Sequence, residues 1–149
     1  MKKIIFVCLG NICRSPMAEF VMKDLLEKEG RKGEFEITSA GTSGEHNGES
    51  MHQGTKNKLN AKNIKAKNFI SKKLTQKMCD ESEMIIVMDN MNLQNVKCFY
   101  QNVELKLKKM TDFAKDLGYD EVPDPWYSGD FDETYHIVLH ACRNLIKEL

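Results

Sequence analysis

The chain has no surplus charge: 22 lysines and arginines face 22 aspartates and glutamates over 149 residues. That balance excludes a bulk polyanion binder such as a nucleic-acid protein, whose affinity comes from excess cation. Long apolar runs are missing too, and nothing approaches the ~20 residues needed to cross a bilayer. The one N-terminal run, Ile4-Ile5-Phe6-Val7, stops at Gly10-Asn11 and meets Arg14 with no small-residue cleavage site after it. A cytoplasmic protein without membrane attachment is therefore expected. The five cysteines (8, 13, 79, 98 and 142) form no Cys-x-x-Cys pair, which disfavours a disulfide scaffold or a thiolate zinc site and suits a reducing compartment. The four histidines include His136 and His140 at helical spacing, but with no HExxH and no third ligand, so neither a metal nor any other cofactor is expected.

The neutral sum hides its parts. Residues 50–79 carry eight lysines and no carboxylate, whereas residues 80–149 carry fourteen acidic side chains against seven basic ones. The basic stretch reads as a solvated face, or as a patch attracting acidic substrates.

Hydrophobic patterning organises the chain as one domain over residues 1–149. Ile4–Cys8 is short and β-branched, as suits a strand buried on both faces. Ser15-Pro16 opens a helix that runs to Glu29-Gly30. Further strands are expected at 35–39, 84–88 and, from the alternation Val103-Glu104-Leu105-Lys106-Leu107, at 103–107. Helices are expected at 52–63, from Thr75, over 90–99 and over 131–148, with 112–131 a long acidic loop. Strands alternating with helices imply an α/β fold with a parallel sheet.

The most informative segment is Cys8-Leu9-Gly10-Asn11-Ile12-Cys13-Arg14-Ser15. It joins a buried strand to a helix start, the place where open α/β sheets bind ligands. A tight loop running into a helix aims backbone N–H groups at a common centre, reinforced by the helix dipole. Gly10 and Asn11 tolerate left-handed backbone angles there. Arg14 offers a planar fork for two phosphate oxygens. Cys8 faces the same amides, a field that favours the nucleophilic thiolate. No Lys-Ser/Thr follows, so the loop is not a nucleotide P-loop.

A phosphate held against a thiolate implies attack at phosphorus and a cysteinyl-phosphate. That chemistry needs an acid for the departing oxygen. Asp124, bracketed by Pro123 and Pro125, is the best candidate, and the carboxylates around it are expected to favour its protonated form. Trp126 and Tyr127 supply aromatic walls for a flat leaving group.

Cys8-Leu9-Gly10-Asn11-Ile12-Cys13-Arg14-Ser15-Pro16 near the start and Asp124-Pro125-Trp126-Tyr127 near the end together closely resemble the low-molecular-weight protein tyrosine phosphatases. Ser39-Ala40-Gly41 and Met88-Asp89 extend the likeness over essentially the whole chain. The resemblance implies a four-stranded parallel twisted sheet flanked by helices on both faces, with the phosphate-binding loop after the first strand. It also implies metal-free hydrolysis of phosphotyrosine in two steps, with Cys8 as nucleophile, Arg14 on the equatorial oxygens and Asp124 as acid and then base. Ser15 would donate a hydrogen bond to the thiolate, Asn11 supported by Ser39 would fix the loop, and Cys13 would form a reversible disulfide with Cys8. Leu9, Gly10, Asn11, Ile12, Cys13, Ser15, Glu45, Trp126 and Tyr127 are the expected substrate contacts. Phosphotyrosine proteins or peptides, a tyrosine kinase as counterpart, and phosphate or other oxyanions are the expected partners. Two positions depart from the family pattern: Glu45 where many relatives carry an aromatic wall, and Phe69 as the nearest equivalent of a histidine that supports the loop asparagine.

Three other readings compete. A protein-arginine phosphatase of the same family is expected to carry Thr where this chain has Ile12, whose bulk suits a phenyl ring. A thioredoxin-coupled arsenate reductase needs two further cysteines close together, which Cys79 and Cys98 are not. A non-catalytic phosphopeptide binder needs neither Cys8 nor Asp124.

Overall fold

The computed structural model describes residues 1–149. Strand β1 (Lys2–Cys8) leads through the loop into helix α1 (Arg14–Lys28); β2 (Phe35–Gly41), α2 (Gln53–Ala61), α3 (Gln76–Glu81), β3 (Met84–Val87), α4 (Asn90–Phe99), β4 (Leu107–Lys109), α5 (Pro125–Ser128) and α6 (Phe131–Lys147) follow. The sheet has the order β2-β1-β3-β4, with every pairing parallel. Strand order reverses direction at β1, so the loop after Cys8 opens at the switch point of the sheet, where crossover helices leave room for a ligand.

The period of two in β1 builds two cores. Ile4, Phe6 and Cys8 point into a cluster of 25 buried residues shared with α1 and α6, while Ile5 and Val7 point into one of 10 residues beneath α3 and α4. Phe6 is fully buried, a contribution of about 2–3 kcal/mol from apolar area alone. The floor under the loop is therefore rigid on both sides.

The fourth strand is not where alternation placed it. Val103 is buried, Leu105 is 98% exposed and the strand begins only at Leu107. Residues 103–106 form a turn closed by Lys106 N–H on the Val103 carbonyl at 3.1 Å, following Asn102 with φ +59°. A turn that dips at one residue and rises two later imitates the strand period. The acidic 112–131 stretch is likewise not all loop: it holds two 3-10 turns and α5.

The basic and acidic parts meet. Lys58 of α2 bonds Asp132 at the start of α6, and Lys58 and Lys62 lie over the Tyr135 ring at 5.5 and 5.2 Å. Two lysines of the basic stretch are thus spent on docking α2 against α6.

Two measurements follow. Leu105→Lys leaves the urea unfolding free energy within about 0.5 kcal/mol of the parent, whereas Val103→Ala lowers it by about 2 kcal/mol. Burial pushes the Cys79 thiol up to about 11 and the Cys142 thiol up as well. The unfolded chain loses these protons near pH 9 while the folded chain keeps them, so stability present below about pH 9 is lost as pH rises through about 11. A Cys79→Ala, Cys142→Ala variant should lose less over that window when both urea midpoints are followed.

Candidate active site

The loop closes around Asn11, which takes φ +56°, the left-handed angle expected of it. Its side-chain amide is buried and fully engaged. Oδ1 accepts the Lys72 backbone N–H at 3.0 Å, which fixes Nδ2 toward the Ser15 hydroxyl at 2.8 Å and the Ser39 hydroxyl at 2.9 Å. The Ser71 hydroxyl donates to the Asn11 carbonyl at 2.6 Å, and the Thr55 hydroxyl donates to the Cys13 carbonyl at 3.1 Å. Gly41 is required at the end of β2, since a Cβ there would lie 2.8 Å from the Leu9 carbonyl oxygen.

Cys8 lies at the floor of the cleft, 3% exposed. Its Sγ is 3.0 Å from the Ser15 hydroxyl. Because that oxygen already accepts from Asn11, the Ser15 proton is free to point at sulfur. Helix α1 has no acidic side chain in its first turn, so its amide end keeps its full attraction for an anion.

Arg14 is 3% exposed and anchored from behind. Nη1 donates to Asp89 Oδ2 at 2.8 Å and to the Val122 carbonyl at 2.9 Å, while Nη2 reaches Asp124 Oδ2 at 3.4 Å. Burial works against its charge, but the Cys8 sulfur, Asp124 and Asp89 outweigh it and hold the guanidinium above its ordinary range. Asp89 is doubly used, since its Oδ1 accepts the Asn92 N–H at 2.7 Å and caps α4. Asp124 caps α5, accepting the Trp126 N–H at 3.0 Å.

The cleft is lined by Cys8, Leu9, Gly10, Ile12, Cys13 and Arg14 on the loop side, and by Glu45, His46, Asp124, Trp126 and Tyr127 opposite. Every expected contact lies on it except two. Asn11 and Ser15 are absent from the lining and buried beneath the loop, because their side chains are consumed in holding it. Ser39 joins them there. Phe69 does not stand in for a supporting histidine: it packs edge-on to Phe20, 6.0 Å between ring centres, and the loop is held from that segment by Ser71 and Lys72 instead. Three of the acids that the sequence places around Asp124 have basic partners of their own. Asp116 is engaged by His140, Asp120 by Lys109 and Asp132 by Lys58.

Sequence reasoning missed four residues. His46 lines the cleft, and Gly10 lacks a side chain to admit it, since a Cβ would sit 2.9 Å from the His46 ring. His46 and His52 brace Trp126 at 5.9 and 5.7 Å; no local pattern marks either. Asp89 was visible as an acid just past a buried strand. Glu19 was visible as a carboxylate one turn beyond Ser15 on an otherwise apolar stretch of α1; it is 7% exposed.

A buried thiol and arginine at the two ends of a strand-to-helix loop, with a carboxylate across the cleft, are the arrangement that a phosphatase with a cysteine nucleophile requires. The family model described as low molecular weight phosphotyrosine protein phosphatase matches residues 3–149. The low molecular weight protein-tyrosine-phosphatase YfkJ of Bacillus subtilis is 34% identical, covering 100% of this chain and 96% of that protein; its crystal structure superposes with a TM-score of 0.96 over 99% of this chain and 94% of that one. PtpA of Staphylococcus aureus, a low molecular weight protein-tyrosine-phosphatase, is 38% identical, covering 98% of this chain and 92% of that protein. The solution structure of the low molecular weight protein tyrosine phosphatase from Campylobacter jejuni is 65% identical, covering 98% and 94% of the two chains, with a TM-score of 0.78. The chain belongs to the low molecular weight phosphotyrosine protein phosphatase family and is a hydrolase of phosphoric monoesters.

Replacing Asp89 with alanine removes both the α4 cap and the anchor of Arg14. Urea denaturation should show a loss of about 1–2 kcal/mol, and the inhibition constant of inorganic phosphate should rise about tenfold.

Proposed function

We propose that this phosphatase hydrolyses phosphotyrosine side chains through a cysteinyl-phosphate on Cys8. The observation that carries the reading is the meeting of Cys8, Arg14 and Asp124 around one cleft, with Asp124 Oδ2 3.4 Å from Arg14 Nη2 although the two lie 110 positions apart.

The substrate phosphate sits in the loop, its equatorial oxygens on the backbone amides and the Arg14 fork. The Cys8 thiolate attacks phosphorus in line with the aryl oxygen; the S–P bond forms as the P–O bond breaks. Asp124 gives its proton to the departing phenolate oxygen. Asp124, now a carboxylate, takes a proton from water as that oxygen attacks phosphorus. The P–S bond breaks, inorganic phosphate leaves, and the Ser15 hydroxyl stabilises the returning thiolate. Ile12, Trp126 and Tyr127 flank the ring of the substrate, Leu9 and His46 shape the approach, and Glu45 takes the place of an aromatic wall on the rim.

Cys13 is read as the redox partner. Burial, then the Cys8 sulfur and Asp124, push its thiol up to about 12, so it remains protonated. Once peroxide has converted the Cys8 thiolate to a sulfenic acid, the Cys13 thiol gives up its proton as its sulfur attacks; the S–S bond forms, the S–O bond breaks, and the departing hydroxide leaves with that proton as water. The partners of the reaction are phosphotyrosine proteins, the kinases that make them, and product phosphate. No helix is long and apolar enough to cross a membrane, and a cytoplasmic setting suits the free thiols.

Hydrolysis of p-nitrophenyl phosphate in chelator-treated buffer tests the mechanism. Cys8→Ser abolishes turnover; appreciable residual activity would remove Cys8 as nucleophile. Asp124→Ala loses about 10²–10³-fold on phenyl phosphate and much less on p-nitrophenyl phosphate, whose leaving group needs little protonation. Equal losses on both would deny Asp124 the role of acid.

A further inference from the structure

Ser39 supports Asn11, yet its own proton must go somewhere. It goes to Glu19, whose Oε1 accepts the Ser39 hydroxyl at 2.6 Å in a buried contact. The second oxygen of Glu19 is held by Lys23 at 2.7 Å, one turn along α1. A carboxylate only accepts, so this bond has one possible direction.

That direction propagates. With its proton on Glu19, the Ser39 oxygen presents lone pairs to Asn11 Nδ2 at 2.9 Å. Asn11 cannot turn its amide over, because Lys72 N–H holds Oδ1 at 3.0 Å. Its other Nδ2 proton therefore goes to the Ser15 oxygen at 2.8 Å. The Ser15 proton is left two acceptors, the Cys8 sulfur at 3.0 Å and the Ala40 carbonyl at 3.5 Å, and the nearer one wins. Each donor before Ser15 has one acceptor, and only the Ser15 proton retains a choice, which distance settles in favour of sulfur.

We propose that Glu19 is a positioning residue for catalysis: by taking the Ser39 proton it locks Asn11, and through Asn11 commits the Ser15 hydroxyl to the Cys8 thiolate. This rests on the reading of Cys8 as nucleophile. Without Glu19 the Ser39 hydroxyl has no buried acceptor of its own, and its proton competes for the space that Asn11 Nδ2 needs. Asn11 is then held at one end only. The Ser15 proton divides between sulfur and the Ala40 carbonyl, and the thiolate loses part of its hydrogen bond in the ground state and as leaving group in the second step.

The expected effect is on the sulfur and not on anion capture, because Arg14 and the loop amides do not touch Glu19. In Glu19→Ala the midpoint of the pH profile for iodoacetamide alkylation of Cys8 rises by about 0.5–1 pH unit, an effect of the size of one lost charge-assisted hydrogen bond. Turnover of p-nitrophenyl phosphate falls about tenfold, and the phosphate inhibition constant stays within about twofold. Glu19→Gln, which keeps an acceptor oxygen at the same reach, restores most of the turnover.

A double-mutant cycle with Ser39→Ala decides the route. If Glu19 acts through Ser39, then Glu19→Ala in the Ser39→Ala background moves neither the alkylation midpoint nor turnover. Additive losses, an unmoved midpoint in the single variant, or a Glu19→Gln protein as impaired as Glu19→Ala would each overturn the proposal. Far-ultraviolet circular dichroism at the assay temperature establishes that each variant is folded; should Glu19→Ala fail to fold, the cycle is run with Glu19→Leu, which fills the buried space without an acceptor. Failure of the underlying reading looks different: Cys8→Ser would then retain turnover whatever stands at position 19.

Discussion

The site depends first on one buried amide. Asn11 holds a left-handed backbone angle that costs a non-glycine residue free energy in isolation, and it is kept there by a ring of hydrogen bonds from two distant segments and the helix start beside it. Ser39 comes from β2, Ser71 and Lys72 from the strap that runs past it, and Ser15 from the start of α1. Each segment is itself pinned by the sheet or its cores, so strain in the loop is held by the whole α/β framework. The loop is thereby shaped for an anion before one arrives, and its binding free energy is not spent on ordering the chain.

Electrostatics follow the same economy. The only buried arginine is surrounded on three sides by acceptors: Asp89, the Val122 carbonyl and Asp124. Asp89 also terminates α4, so a helix cap and the aim of the guanidinium are one interaction. The large charge asymmetry of the sequence is partly absorbed where α2 meets α6, through Lys58, Lys62, Asp132 and Tyr135. What had looked like a reservoir of negative charge beside Asp124 is a set of locally engaged carboxylates.

Residues whose role is set by local chemistry were legible in the sequence. The Cys8–Arg14 spacing, the left-handed Asn11 and the proline-bracketed Asp124 depend on a few neighbours, and the structure brings Cys8, Arg14 and Asp124 to one cleft with Asn11 beneath it. Residues whose role is set by long-range packing were not. His46 matters because Gly10, 36 positions earlier, leaves room for its ring. Phe69, the departure from a supporting histidine, packs on Phe20, and the loop is held instead from Ser71, two residues later, whose hydroxyl donates to the Asn11 carbonyl. The fourth strand failed for a related reason: period-two hydrophobicity reports burial on alternate residues, and a tight turn with one buried anchor satisfies it as well as a strand does.

The two cleft sulfurs show how differently one loop can surround two cysteines five positions apart. Cys8 and Cys13 are both about 96–97% buried and flank the same loop. Cys8 ends a strand, so its sulfur faces a hydroxyl whose proton has been committed by its neighbours. Cys13 begins a helix with its carbonyl turned to the Thr55 hydroxyl, and burial and the Cys8 sulfur hold it as a thiol. Two anionic sulfurs so close would repel each other and an incoming phosphate. Held as a thiol, Cys13 adds no negative charge of its own to the cleft where phosphorus must sit.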